Sequence, residues 1–189
     1  MIKNIIRDSI TTKALLLYDE NIIKKIKACV DMISKTLKKG GKIMIFGNGG
    51  SAADSQHFAA ELVGRFQKER KGLAAISLTT DTSILTSLGN DYSFDIVFAR
   101  QIEANGTPRD LAFAISTSGK AKNVIRGVKE AKKLKIKTIG LTGKNGGDLA
   151  KIADLSIVIP SLVTARIQES HILIIHIICE LVEESCTKK

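Results

Sequence analysis

Tryptophan is absent, proline occurs twice, and aromatic residues fill only 4% of the 189 positions. No tract is low in complexity, no internal repeat recurs, and no long linker divides the chain. With 44% apolar residues, this is the composition of one compact globular domain over residues 1–189 rather than of a disordered chain. The three cysteines, Cys29, Cys179 and Cys186, are odd in number and lack CxxC spacing. They read as buried thiols in a reducing compartment. A signal-peptide core is missing too, because MIKNIIRDSI mixes charges among its apolar residues. The longest apolar run near the carboxyl end, ILIIHIICELV (172–182), is too short to span a bilayer and contains His176 and Glu180. A cytoplasmic protein without a membrane partner is the expectation.

Acidic residues are scarce relative to basic ones, and the formal net charge is +10. The excess is concentrated in KAKNVIRGVKEAKKLKIK (120–137), with eight Lys or Arg and one Glu. No aromatics interleave with these lysines, so a single-strand nucleic-acid platform is not expected. A solvated helix face and a field that attracts anionic substrates both remain open.

Residues 3–38 read as two helices with a break near Tyr18–Asn21. Five short apolar runs follow: 42–46, 73–78, 111–116, 137–142 and 155–160. Helical stretches at 51–67, 82–88 with 94–104, 121–134 and 147–152 separate them, and a last helix covers 163–185. Apolar strands alternating with helices predict an α/β domain, a doubly wound five-stranded parallel sheet. In the flavodoxin-like order 2-1-3-4-5, ligands bind at the carboxyl ends of strands 1 and 3. Those ends carry GNGGS (47–51) and STSG (116–119). Residues 1–40 are surplus to the sheet, and they are expected to pack on the domain and on other subunits.

Gly47, Gly49 and Ala52 fit the G-x-G-x-x-G/A dinucleotide pattern. The acidic ribose partner is misplaced, however: Asp81 lies too far beyond strand 2 and Glu69 lies before it. No Gly-Lys-Ser/Thr follows, which excludes a Walker A loop, so no nucleotide cofactor is expected. As a plain turn, the glycines would supply positive φ and Ser51 would cap the helix. As a binding loop, its amides and the Asn48 side chain would hold ligand oxygens. Behind it, His57 and Glu61 stand at i, i+4 on one helix face, a spacing suited to a shared metal or to a surface pair. His176, set among isoleucines, can be a core residue or a site residue. Gln168 precedes it by about 80° of rotation and about 12 Å of helix axis.

GNGGSAADSQHFAAELVGRF, SLTTDTSILTSLGNDYSF, ISTSGKAKNVI, GLTGKNGG and TARIQESHILIIH together resemble the phosphoheptose isomerases of the sugar isomerase (SIS) domain superfamily. The resemblance covers nearly the whole chain, in order. It implies a homotetramer that isomerises sedoheptulose 7-phosphate to D-glycero-D-manno-heptose 7-phosphate, the first step toward heptose for bacterial surface polysaccharide. By position, Asn48, Gly49, Gly50, Glu61, Asn90, Asp91, Ser116, Thr117, Ser118 and Gln168 would contact the sugar phosphate. His57, Glu61, Gln168 and His176 would surround one zinc ion per subunit, with Glu61 and His176 as the acid–base pair. One departure is Ala121, where the family typically has a phosphate-binding Ser. A related non-catalytic scaffold, the replication-initiator-associating protein, departs at the acid–base positions, whereas Glu61 and His176 are intact here. A SIS isomerase for another phosphosugar is the remaining alternative.

Overall fold

The computed structural model of the chain describes residues 1–187. Five parallel strands form one sheet: β1 (Ile43–Gly47), β2 (Ala75–Ser77), β3 (Leu111–Ser116), β4 (Lys137–Gly143) and β5 (Leu155–Ile159). Their order is β2-β1-β3-β4-β5, as the alternation of strands and helices predicts. The helices are α1 (Ile2–Tyr18), α2 (Glu20–Lys38), α3 (Gly50–Val63), α4 (Thr82–Asp91), α5 (Val97–Asn105), α6 (Lys122–Lys133), α7 (Gly147–Ile152) and α8 (Thr164–Thr187).

Successive strand side chains point to opposite faces, and both faces are apolar. Ile43, Ile45, Leu111, Phe113 and Ile115 meet α2, α3 and α8, whereas Met44, Phe46, Ala112 and Ala114 meet α5, α6 and α7. Phe58 of α3 packs edge-on against Phe113 of β3, with ring centroids 5.1 Å apart and planes at 83°. Such a pair adds about 1 kcal/mol beyond the area it buries, and it fixes α3 on the sheet.

Asp19 separates α1 from α2 and accepts the backbone N–H groups of Asn21 and Ile22, at the expected break. α2 enters the core along its length, whereas α1 contributes only Leu16 to it. Ser9 donates to Glu169, and Arg166 donates to the Ile5 carbonyl, which ties α1 to α8. Ile2, Ile5, Ile6, Ile10 and Leu17 of α1 remain exposed.

Most boundaries fall within two residues of the sequence expectation, and the larger departures lie between 63 and 104. β2 covers only 75–77 rather than 73–78, and α3 stops at Val63 rather than 67. In both places the 64–74 segment is a strap anchored to α8, described below. The stretch 82–104 holds α4 and α5 with a 3-10 turn, Phe94–Ile96, between them. Cys29 and Cys179 are buried and Cys186 is half-buried, and burial pushes all three thiols up. No helix among the described residues is long and apolar enough to cross a membrane.

Candidate active site

The glycine loop departs from a simple capped turn. Gly49 is the N-cap of α3 with φ of +57°, a conformation that costs glycine nothing, and no side chain caps the helix. Ser51 lies inside the helix, buried, with its carbonyl accepting the Ser55 hydroxyl. The expected Ser51 cap is therefore corrected, and so is the idea that every glycine here supplies positive φ. Gly50 is needed for close approach instead: a Cβ there would lie 2.2 Å from Gln168 Nε2. Asp81, the out-of-place ribose candidate, caps α4 through the Ile84 N–H.

Asn48 turns its amide onto Asn123 of α6. Each Nδ2 donates to the other's Oδ1, both at 2.8 Å. Asn123 carries no loop signature in the sequence and was not among the expected site residues. Asn48, Ser116, Thr117, Ser118, Ala121 and Gln168 line one small cleft of about 180 Å³, with Ser51 and Ile115. The two polar loops thus converge as the sheet order predicts. Gly49 and Gly50 do not line it themselves but join its Asn48 to its Ser51 along the chain. Asn90 and Asp91 do not line this cleft; they close α4 on its exposed side, bonded to each other.

A second cluster lies two turns further on. His57 Nε2 is 2.8 Å from His176 Nε2 and 3.5 Å from Glu61 Oε1. The histidine contact is a hydrogen bond only when one Nε2 carries a proton and the other offers a lone pair. His57 remains 42% exposed on its side chain and Glu61 22%, so a ligand can reach both. Gly50 meets Gln168, and His57 meets His176, so α3 and α8 run side by side in the same direction. Gln168 therefore serves the serine cleft, about 12 Å along the helix from His176.

Two imidazoles and a carboxylate are donor types that zinc prefers. A tetrahedral zinc sets its nitrogen ligands about 3.4 Å apart, so the two rings would part by about half an ångström. Among the described residues, no three His, Cys, Asp or Glu side chains already form a metal-holding group. These three donors fit zinc in kind, whereas Gln168, about 12 Å along α8 from His176, lies with the serine cleft instead.

The third histidine is the core one. His171 is fully buried, and Nε2–H donates to the Thr142 carbonyl at 3.2 Å, while Nδ1 has no partner. Burial lowers its pKa from 6.5 to about 4, against the raising effect of the Thr142 bond. The folded state therefore binds its proton later than the unfolded one. The stabilising contribution is complete above pH 6.5 and disappears as the pH falls toward 4. Denaturant unfolding at stepped pH should show the wild type losing about 3 kcal/mol more than a His171→Gln variant across that window.

Ala121 is the N-cap of α6 and makes no side-chain cap bond. Ala121→Ser should raise stability by about 1 kcal/mol. With a phosphate in the cleft, it should also lower KM by about tenfold, the worth of one charge-assisted hydrogen bond. An unchanged KM would remove position 121 from the phosphate contacts.

Comparison with known proteins agrees with the fold. The SIS domain family pattern matches residues 11–143. The phosphoheptose isomerase of Aquifex aeolicus is 54% identical over 97% of this chain and 95% of its own. Phosphoheptose isomerase 1 of Campylobacter jejuni is 58% identical over 82% and 83%. The solved phosphoheptose isomerase of Neisseria gonorrhoeae superposes with a TM-score of 0.91 at 41% identity, covering 97% of both chains. The chain belongs to the phosphoheptose isomerases of the SIS domain family.

Proposed function

We propose that this chain isomerises sedoheptulose 7-phosphate to D-glycero-D-manno-heptose 7-phosphate, an aldose–ketose interconversion that feeds heptose to bacterial surface polysaccharide. The single observation that carries the reading is the joining of His57, Glu61 and His176 two helix turns from a hydroxyl- and amide-rich cleft. Moving a proton between C1 and C2 passes through an ene-diol. One group must take the carbon-bound proton and another must serve the oxygens. Glu61 and His176 are the acid–base pair, and in the metal-free site the His57–His176 bond keeps the His176 ring oriented. Ser116, Thr117 and Ser118 seat the phosphate, while Asn48, Gly49, Gly50 and Gln168 hold the hydroxylated chain.

His57, Glu61 and His176 would hold one zinc ion per subunit, which when bound would supply positive charge at the ene-diolate oxygens, and Gln168 would join them only by leaving the serine cleft. Elemental analysis of protein purified without chelator tests this. Metal at background, with activity indifferent to chelators, would remove zinc from the scheme.

The working assembly is a homotetramer in the cytoplasm. The exposed apolar residues of α1 support subunit contact. A cleft of about 180 Å³ falls short of the several hundred Å³ usual for a ligand pocket, so a neighbouring subunit would complete it, bringing Asn90 and Asp91 to the sugar. Turnover across a panel of ketose phosphates decides the substrate. Preference for sedoheptulose 7-phosphate supports the proposal, and preference for another ketose phosphate would replace it.

A further inference from the structure

We infer that Phe66, Arg70 and Glu183 form a positioning brace for the His57–Glu61–His176 cluster, an inference that rests on reading that cluster as the acid–base centre. Residues 64–74 contain no helix or strand. They are nonetheless fixed by one buried ion pair, Arg70 Nε to Glu183 Oε1 at 2.9 Å, with side chains only 5% and 1% exposed. Glu183 also accepts the backbone N–H groups of Phe66 at 3.0 Å and of Gln67 and Lys68 at 2.8 Å. Arg70 spends its other nitrogens on carbonyls: Glu61 and Leu62 at 2.9 Å, Lys71 at 3.2 Å and Gly64 at 3.3 Å.

These partners are specific to the active end of the helices. The carbonyls of Glu61 and Leu62 belong to the last turn of α3, which helix geometry leaves without intrahelical partners. A guanidinium satisfies them and suits the negative end of the helix dipole. Arg70 thus holds the backbone of Glu61 itself. Glu183 lies two turns past His176 on α8 and draws the strap back over that helix. The strap delivers Phe66, whose ring centroid lies 5.7 Å from that of His176 with planes at 37°. His57 contacts the same imidazole at 5.1 Å and 66°. His176 is therefore restrained by two rings, one chemically inert and one capable of sharing a proton.

A reacting group displaced by about 1 Å can cost about 100-fold in rate without weakening binding. Phe66→Ala should lose about 10- to 100-fold in kcat with KM within about threefold of wild type, and Phe66→Tyr, which keeps the ring, should recover most of it. Phe66 is half-buried at the surface, so its removal leaves the fold intact, whereas Arg70 or Glu183 variants can unfold. A crystal structure of Phe66→Ala should show the His176 ring turned away from His57. Retention of wild-type kcat, a rise in KM alone, or an unmoved His176 ring would each overturn the brace. Failure of the wild-type protein to turn over sedoheptulose 7-phosphate would instead overturn the proposed function, and the ring geometry would still test the brace.

Discussion

Glu61→Gln and His176→Gln should each reduce isomerisation of sedoheptulose 7-phosphate by about 10³-fold or more while the protein stays folded. General acid–base groups contribute typically 10²- to 10⁴-fold each. Glutamine keeps the size of either side chain and most of its hydrogen bonding, but it cannot carry a proton through a cycle. The structure makes the comparison clean. Glu61 is held in place through its backbone carbonyl by Arg70, which Glu61→Gln leaves untouched. His176 packs on Phe66 and His57 at the surface of α8 rather than in the core, so its replacement opens no cavity. Initial-rate assays together with circular dichroism and thermal melting separate loss of chemistry from loss of fold. Full activity in either variant would refute its role. Metal content measured on the same samples shows whether a variant has lost zinc as well as a proton carrier.

The largest effect on stability should come from Arg70→Ala, about 3–5 kcal/mol, a large share of the total for a domain of this size. The cost comes less from the lost attraction than from what is left behind. Glu183 would keep a buried carboxylate with no counter-charge, and the Glu61 carbonyl would lose its donor while that of Leu62 would keep only the Leu73 N–H. Burial tends to raise the Glu183 pKa. The N–H groups of Gln67, Phe66 and Lys68 and the Arg70 guanidinium oppose this and hold it below the usual carboxylate value. A lowered folded value means that the stabilisation is present above the ordinary carboxylate range and is lost as the pH falls through the folded value. Urea unfolding of the wild type, both single variants and the Arg70→Ala/Glu183→Ala double variant tests the pair. The double variant should cost less than the sum of the singles, because no charge remains stranded. Additive losses would show that the two charges act independently.

The five strands and their order were legible because each buried strand is a short continuous apolar run closed by a turn. His57 and Glu61 were legible because helical spacing alone places them on one face. Between the two histidines of α8 the sequence was ambiguous. Both sit near isoleucines, and only the packing shows that His171 faces the Thr142 carbonyl while His176 faces His57. The Ser51 cap was misread because serine near a helix start is the commonest cap, and here Gly49 occupies that place with its own backbone. Phe66, Arg70 and Glu183 were invisible for a different reason. Their bonds join residues 113 to 117 positions apart, and no local pattern reports on such a distance. Gly50, read as a turn glycine or a sugar contact, proves to be a space reserved for Gln168.

The doubled amide bond between Asn48 and Asn123 works like a pair of matched letters. Each side chain gives one hydrogen and receives one, so neither position is chemically free of the other. Aspartate at either place could receive but not give, and half of the match would fail. Over evolutionary time the two positions are therefore expected to be inherited as a unit, although 75 residues separate them along the chain.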